Sequence, residues 1–269
     1  MFAPALVASD LDGTLLRSDH SVSERTLRTL GRLRERGIPF VAITGRPRRW
    51  LQPVIDQTGP IGPIVCGNGA VVMDERNEHV LAEFLIPPDV LDQVTKSLRT
   101  AIPELVFAAE RGDRMLYEPG YPLRGDLALA GEAQQPIERI VAEGASKLLV
   151  RVRGSDGGDP EALYGEIGRL AGESCTVTHS GFAGLVEITA LGVDKSTGLA
   201  WIADHYGVDP QRIVAFGDMP NDAAMLRWAG RGVVVASAHP EAVAAADAVT
   251  MGNDADGVAI YLDELLDNL

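Results

Sequence analysis

Two aspartates directly follow the first apolar run of the chain, Ala5 to Ala8. Such a run is typical of a short strand buried on both faces of a parallel sheet. Asp10 and Asp12 follow it, and Gly13 and Thr14 come next. Open α/β sheets bind ligands beyond the carboxyl ends of their strands, where paired carboxylates repel each other unless a cation or a proton separates them. These oxygen ligands suit Mg²⁺, although the same residues also fit a strand followed by an Asp-Gly turn.

A second acidic group follows a later apolar run, Ile213 to Phe216. Asp218, Asn221 and Asp222 come just after this predicted strand and precede a predicted helix. Their carboxylate and amide oxygens are again placed at a strand end. Asp218 and Asp222 therefore complete, in this interpretation, a carboxylate cage around a metal ion that Asp10 also binds.

One lysine is predicted in the first turn of a helix. Asp194 is a plausible N-cap, so Lys195 begins the helix. A cation is poorly placed there because the helix dipole is positive at its N-terminus. Asp10 and a bound phosphate would supply the missing negative charge. The alternative is a lysine exposed at the surface.

Two further strand ends carry residues suited to binding an anion. Thr44, Gly45 and Arg46 follow the apolar run at 38–43, and Asn68 lies between two glycines after the run at 64–66. A hydroxyl and a glycine backbone can approach a phosphate closely, and the helix predicted over 47–57 would add its N-terminal N–H groups. The alternative is that these are ordinary turn residues, with Arg46 at the surface.

The pattern of elements predicts an α/β fold with an insert. Strand, helix and strand follow each other at the start of the chain, which predicts a right-handed crossover. The pattern changes in residues 83–186, where predicted strands are grouped with two predicted helices. This pattern predicts an α+β insert whose sheet faces water on one side. The stretch 147–152 alternates like a half-exposed strand, and 119–135 and 154–159 are predicted loops. Two interpretations stay open for His179 and the pair Arg111 and Arg114. They face a ligand, or they lie at the surface of this insert, which is the favoured interpretation.

Composition excludes several classes of function. The chain has 269 residues, 46% of them hydrophobic, and a net charge of −14, which disfavours a nucleic-acid partner. No apolar run approaches the length of a membrane span, and no basic leader precedes the first strand. Cys66 and Cys175 stand far apart and are interpreted as small buried residues in a reducing compartment. We therefore expect a cytoplasmic protein.

The ordered set of four motifs resembles the haloacid dehalogenase-like superfamily. The motifs are Asp10-x-Asp12-Gly-Thr, Thr44-Gly-Arg, the Lys195 helix and Gly217-Asp218-x-x-Asn221-Asp222. The Gly67-Asn68-Gly69-Ala70 turn makes the chain similar to the Cof-type sugar-phosphate phosphatases, which carry a type IIB cap. This resemblance implies a Rossmann-like parallel-sheet core with helices on both faces, formed by residues 1–82 and 187–269. It also implies that the α+β insert, 83–186, is a cap domain.

The resemblance implies a covalent mechanism. Asp10 would be the nucleophile that forms an aspartyl-phosphate. Asp12 would be the general acid for the leaving alkoxide and then the base for water. Lys195 would neutralise charge on Asp10 and the phosphate.

It also implies a set of binding residues. Thr44 and the backbone N–H groups near Leu11 and Gly45 would hold the phosphoryl oxygens, while Arg46 and Asn68 would contact the substrate. The residues implied for Mg²⁺ are Asp10, the backbone carbonyl of Asp12, Asp218, and Asp222 directly or through water, with Asn221 orienting its neighbours.

The implied function is a Mg²⁺-dependent phosphatase of small phosphorylated metabolites such as sugar phosphates. Two alternatives stay open. A phosphomutase or phosphotransferase would pass the same phosphoryl group to an acceptor. A regulatory module would instead keep a stable aspartyl-phosphate, as receiver-like domains do with strand-end carboxylates, a Thr and a Lys. The general acid and the large insert favour turnover.

Overall fold

The chain forms two units, each with its own sheet. The computed structural model describes residues 2–74, 76, 79–123, 132–154, 160–181 and 184–269. The first unit comprises residues 1–82 and 194–269, and the second comprises residues 83–193. The insert is predicted to end at residue 186, but the strand Val186–Ala190 pairs within the sheet of the second unit. The boundary therefore lies after this strand.

The first unit begins with alternating strands and helices. Its elements up to residue 83 are β1 (Leu6–Ser9), α1 (Glu24–Glu35), β2 (Phe40–Ile43), α2 (Gln52–Thr58), β3 (Ile64–Cys66), β4 (Val71–Met73) and β5 (Val80–Glu83). The side chain of Ser23 caps α1 by accepting a hydrogen bond from the N–H of Thr26, as expected for a serine at this position.

The middle of the chain forms the second unit. Its elements are α3 (Pro88–Ala101), β6 (Leu105–Arg111), β7 (Arg114–Tyr117), β8 (Glu132–Gln134), α4 (Ile137–Val141), β9 (Lys147–Val152), α5 (Pro160–Ala171), β10 (Cys175–Thr178) and β11 (Val186–Ala190). The chain then returns to the first unit with α6 (Lys195–Tyr206), β12 (Ile213–Gly217), α7 (Ala223–Trp228), β13 (Arg231–Val234), α8 (Pro240–Val243), β14 (Ala248–Val249) and α9 (Gly257–Asp267).

The sheet of the first unit has the strand order β14-β13-β12-β1-β2-β3-β4-β5. From β14 to β3 the neighbouring strands are parallel, and β4 is antiparallel to β3. All residues of β1 and β2 are buried. Because successive side chains of a strand point to opposite faces, helices must cover both faces of this sheet, which confirms the predicted Rossmann-like α/β fold.

The sheet of the second unit has the order β10-β11-β9-β6-β7-β8 and is antiparallel except between β7 and β8. One face packs against α3, α4 and α5 around a core that includes Phe107, Leu148 and Ile188. One side of this sheet is predicted to face water, but side chains at the centre of the sheet are buried. Lys147 and Glu187 are each only 3% exposed, and the Lys147 Nζ lies 2.7 Å from Glu187 Oε1. The alternation over 147–152 predicts a half-exposed strand, but Lys147 instead forms a buried ion pair with a neighbouring strand.

Three smaller predictions need correction. His179, for which the surface interpretation is favoured from the sequence, is buried. The helix expected over 47–57 is a 3₁₀ turn at Arg48–Trp50 followed by α2, so no α-helix begins at Pro47. Part of the predicted loop at 119–135 is strand β8. Residues 124–131, and the predicted linker except for its first residue, lie outside the described residues.

Both cysteines are buried, and neither forms a disulfide bond. Burial raises the pKa of the Cys175 thiol to about 11, so the thiol stays protonated near neutral pH. In the part of the chain that the structure describes, no helix combines the length and apolar character that crossing a membrane requires.

Candidate active site

The predicted site residues lie in loops that follow neighbouring strands. Strands β12, β1, β2 and β3 are adjacent and parallel, so their carboxyl ends lie along one edge of the sheet. The loops are joined by hydrogen bonds. The N–H of Asn68 donates to the carbonyl of Thr44 over 3.1 Å, and the hydroxyl of Thr14 donates to the Asp218 carboxylate over 2.8 Å.

Three carboxylates meet at this edge. Asp10, Asp218 and Asp222 each offer one oxygen, and these oxygens all lie within 4.8 Å of one another. Burial raises the pKa of Asp10 well above its ordinary value; the other carboxylates act in the same direction, and Lys195 opposes them. Burial, together with the charge of Asp222, raises the pKa of Asp218 to about 6. Burial and mutual repulsion therefore make the ionised form of Asp10 and Asp218 unfavourable.

Lys195 lies inside this cluster. Its Nζ is 2.6 Å from Asp10 Oδ1 and 2.6 Å from Asp222 Oδ1, and the residue is 1% exposed. Burial disfavours the ammonium, but the two carboxylates outweigh that effect and raise the pKa of Lys195. Asp194 caps α6 in a capping box with Thr197, so Lys195 begins the helix. The alternative of a surface lysine is wrong.

The turn at Gly67–Gly69 supports the helix that carries Lys195. Gly69 has φ +100°, and a Cβ on it would lie 1.8 Å from the carbonyl oxygen of Asp194. A Cβ on Gly198, one turn into α6, would lie 2.2 Å from Val65. The start of the helix therefore lies directly against the backbone of the turn at Gly69, and the helix lies against the Val65 side chain at Gly198. Neither position has room for a Cβ. This role was not predicted from the sequence. The two glycines that flank Asn68 are the feature of the sequence that could have indicated it.

We predict that Gly69→Ala destabilises the protein and lowers any activity that depends on Lys195. The added methyl group has to displace the start of α6, and the positive φ adds strain. The free energy of unfolding should fall by at least about 2 kcal/mol in denaturant titrations. Gly31→Ala is the control, because a Cβ at this position in α1 meets nothing within 4 Å. Equal stability of the two variants would contradict this view of the turn.

Gly13 allows the loop after β1 to approach Asp218 closely. Its φ is +79°, and a Cβ would lie 2.5 Å from Asp218 Oδ2. Together with the Thr14 hydroxyl, this glycine brings the loop after β1 against Asp218. The Asp-Gly turn considered as an alternative is therefore part of the site.

Asp222 has both carboxylate oxygens engaged. Oδ2 accepts hydrogen bonds from the N–H groups of Asp218 and Met219, over 3.0 and 2.9 Å, and Oδ1 accepts from Lys195. A Cβ on Gly217 would lie 2.5 Å from the Asp222 Cβ. Asp222 thus orders the loop that presents Asp218 and holds Lys195.

The loop after β2 brings Arg46 to the loop after β1. Thr44 is buried and its hydroxyl oxygen accepts the N–H of Arg46 over 3.0 Å. Leu11 is buried and Gly45 is half-buried. The guanidinium of Arg46 pairs with the Asp12 carboxylate, so the structure joins these two predicted residues to each other.

Asn68 and Asn221 form a buried amide pair. Asn221 Nδ2 donates to Asn68 Oδ1 over 3.1 Å, and Asn68 has a positive φ of 58°. Among the described residues, Asn68 Nδ2 and Asn221 Oδ1 are buried without a hydrogen-bond partner. Such groups are costly to bury, so the pair retains a donor and an acceptor for further polar contacts.

Comparison with known proteins assigns the family. A model of the haloacid dehalogenase-like hydrolases matches residues 7–262. The chain belongs to this family. The prediction of membership from the four motifs is confirmed, and so is the predicted class of enzyme, since the relatives that it resembles are named phosphatases.

Two curated relatives and one solved structure illustrate the similarity. The 5-amino-6-(5-phospho-D-ribitylamino)uracil phosphatase YitU of Bacillus subtilis is 31% identical, with 97% of each chain covered. The HMP-PP phosphatase of Serratia proteamaculans is 33% identical over 88% of this chain and 85% of its own. A haloacid dehalogenase-like hydrolase from Bacteroides thetaiotaomicron has 26% identity and a TM-score of 0.76, with 98% of this chain and 100% of that chain covered.

The site of this haloacid dehalogenase-like hydrolase fits a divalent cation. Three buried carboxylates face one buried ammonium, which leaves an excess of negative charge, and the pKa of Asp218 is raised. A cation would relieve this repulsion. Asp10 and Asp218 are the carboxylates suited to bind it, because only Oδ1 of each accepts a hydrogen bond among the described residues. Both oxygens of Asp222 accept hydrogen bonds.

We predict that Asp218→Asn stabilises the metal-free protein. The gain in the free energy of unfolding, relative to wild type, should increase as pH rises. The folded pKa of about 6 lies above the ordinary 3.8, so the contribution of Asp218 to stability is full below pH 3.8 and is lost as pH rises through 6. Asparagine does not ionise. In chelator, the variant should therefore gain up to about 3 kcal/mol relative to wild type between pH 4 and pH 8.

Denaturant titrations of both proteins at several pH values test this prediction. Comparing variant with wild type cancels the acid sensitivity of other groups. A stability difference that stays constant from pH 4 to pH 8 would show that Asp218 is not held at a raised pKa.

Proposed function

We propose that this protein is a Mg²⁺-dependent phosphatase that hydrolyses small phosphorylated metabolites, such as sugar phosphates, through an aspartyl-phosphate on Asp10. The observation that carries the proposal is the buried contact of Lys195 with Asp10 and Asp222 beside Asp218. A carboxylate held in this way is oriented by one of its oxygens, and the other stays available for reaction.

The proposed first step is attack on phosphorus. Lys195 binds Asp10 Oδ1, so Oδ2 attacks the phosphorus atom and the bond from phosphorus to the ester oxygen breaks. Asp12 gives its proton to the leaving oxygen, which departs as an alcohol. Lys195 offsets the negative charge that collects on Asp10 and the phosphoryl oxygens. A cation bound by Asp10 and Asp218 would supply further electrostatic stabilisation of the phosphoryl group.

The proposed second step is hydrolysis. Asp12, now ionised, takes a proton from water, and the water oxygen attacks the phosphorus of the aspartyl-phosphate. The bond from phosphorus to Asp10 breaks, inorganic phosphate leaves, and both carboxyl groups return to their starting state. Thr44, the N–H groups near Leu11 and Gly45, and the amides of Asn68 and Asn221 are proposed to bind the phosphoryl oxygens or the substrate.

The relatives support the class of substrate. YitU and the Serratia enzyme are named for different small phosphorylated compounds, so the resemblance supports small phosphorylated metabolites as a class. The net charge of −14 is consistent with small substrates and unfavourable for nucleic acid. The insert predicted over 83–186 extends to residue 193 in the structure. That it acts as the cap that selects the leaving group remains a prediction, as does a cytoplasmic location.

A substrate screen tests the proposal. Purified protein is incubated with a panel of phosphorylated metabolites and Mg²⁺, with chelator controls, and released phosphate is measured. We expect rapid, metal-dependent release from at least one sugar phosphate. Adding a second sugar separates the alternatives, since a mutase or transferase would phosphorylate it. One phosphoryl group retained per chain, without turnover, would identify a regulatory module instead.

A further inference from the structure

We propose that Arg46 is a positioning residue that fixes the orientation of Asp12, rather than a contact for the substrate. The proposal rests on the proposed function, in which Asp12 is the general acid and base. Arg46 Nε lies 2.7 Å from Asp12 Oδ2, and Arg46 Nη2 lies 2.5 Å from Asp12 Oδ1. This is a bidentate pair, in which the planar guanidinium fixes both the position and the plane of the carboxylate.

Arg46 is itself held by its surroundings. Its N–H donates to the Thr44 hydroxyl, its carbonyl accepts the N–H of Gly67 over 3.1 Å, and its Nη1 lies 3.4 Å from the carbonyl oxygen of Trp50. The Arg46 side chain is 16% exposed. Burial acts against the charge of Arg46, but Asp12 outweighs it and raises the pKa of the guanidinium. The loop after β2 therefore fixes this guanidinium on Asp12.

Asp12 depends on this support. Its side chain is 33% exposed and lies in the turn that follows β1. The other contact to its carboxylate among the described residues comes from His20, whose Nδ1 is 3.4 Å away and whose side chain is 71% exposed. Proton transfer needs the carboxylate at hydrogen-bond distance from the ester oxygen. Each oxygen bound by Arg46 keeps a second lone-pair site for that proton.

The test combines two substrates with a double-mutant cycle. Arg46→Gln and Arg46→Lys are made in the wild-type and Asp12→Asn backgrounds, and release of the leaving group in the first turnover is measured. The first substrate is an alkyl phosphate, whose leaving oxygen needs a proton. The second is p-nitrophenyl phosphate, whose leaving group departs without one. Thermal unfolding confirms that each variant is folded.

We expect both variants to lose at least about 10-fold in first-turnover rate on the alkyl phosphate, with KM within about 3-fold of wild type. The loss on p-nitrophenyl phosphate should be within about 3-fold. In the Asp12→Asn background the Arg46 substitutions should add less than about 3-fold, because the residue through which Arg46 acts is already gone. Arg46→Lys should not rescue, since an ammonium lacks the planar fork.

Several outcomes would overturn the proposal. A rise in KM with an unchanged first-turnover rate, or rescue by lysine, would make Arg46 a substrate contact. Equal losses on both substrates, or losses that multiply with that of Asp12→Asn, would also contradict it. Arg28→Ala, which removes an exposed guanidinium from α1, is the control and should change nothing. If the wild-type protein hydrolyses no phosphate monoester, it is the proposed function that fails.

Discussion

The Asp10→Asn variant is expected to fold normally and to lose at least about 10³-fold in turnover. The loss is large because an amide cannot attack phosphorus, and removal of a nucleophile leaves only binding and electrostatic assistance. The fold should survive because asparagine has nearly the same shape. It also removes one charge from a buried group whose pKa the protein raises. Steady-state release of phosphate, together with circular dichroism, measures both effects.

Asp92→Asn is the matched control for this substitution. Asp92 lies in α3 and pairs with Lys96 at the surface, so its loss should leave turnover unchanged. An Asp10→Asn protein that retained the wild-type rate would exclude a covalent role for Asp10. Loss of turnover accompanied by loss of the helical signal would assign the effect to folding instead.

Replacing Lys195 by methionine is the second change with a large expected effect, and it should affect both activity and stability. Methionine keeps the unbranched chain but removes the ammonium that contacts Asp10 and Asp222. Turnover should fall by at least about 10²-fold, as when a preorganised charge is removed. The free energy of unfolding should fall by about 3–5 kcal/mol in chelator near pH 8, since buried carboxylates lose their partner.

An exposed lysine provides the comparison. Lys96 is 74% exposed in its pair with Asp92, so Lys96→Met should change stability by less than about 1 kcal/mol. Mg²⁺ should restore part of the lost stability of Lys195→Met, because a cation offsets the same negative charge. A Lys195→Met protein as stable as wild type in chelator would contradict the electrostatic account of the cluster.

The predicted fold and the convergence of the four motifs could be anticipated because they depend on local patterns. Short apolar runs that end in Asp10, Thr44 and Asp218 mark buried parallel strands with polar ends. The unfavourable position of Lys195 in its helix pointed to a missing counter-charge. The structure supplies that charge as Asp10 and Asp222.

Other features depend on contacts between distant residues, which local patterns do not contain. Gly69 is needed because the helix carrying Lys195 rests on it, and a turn motif alone does not indicate which element approaches. Arg46 pairs with Asp12 across two loops, whereas the sequence shows only a cation near a strand end. The alternation over 147–152 predicts a half-exposed strand, yet Lys147 forms a buried ion pair with Glu187 of the neighbouring strand.

The most direct test of the covalent mechanism is to trap the phosphoryl group on the protein. Asp12→Asn enzyme, which should hydrolyse the intermediate slowly, is mixed with Mg²⁺ and p-nitrophenyl phosphate, whose leaving group departs without a proton. The mixture is quenched in acid and digested for mass spectrometry. The account predicts one phosphoryl group on the peptide that contains Asp10, and none in the Asp10→Asn/Asp12→Asn double variant. Phosphate release without any phosphorylated peptide, or with the group on a different residue, would contradict it.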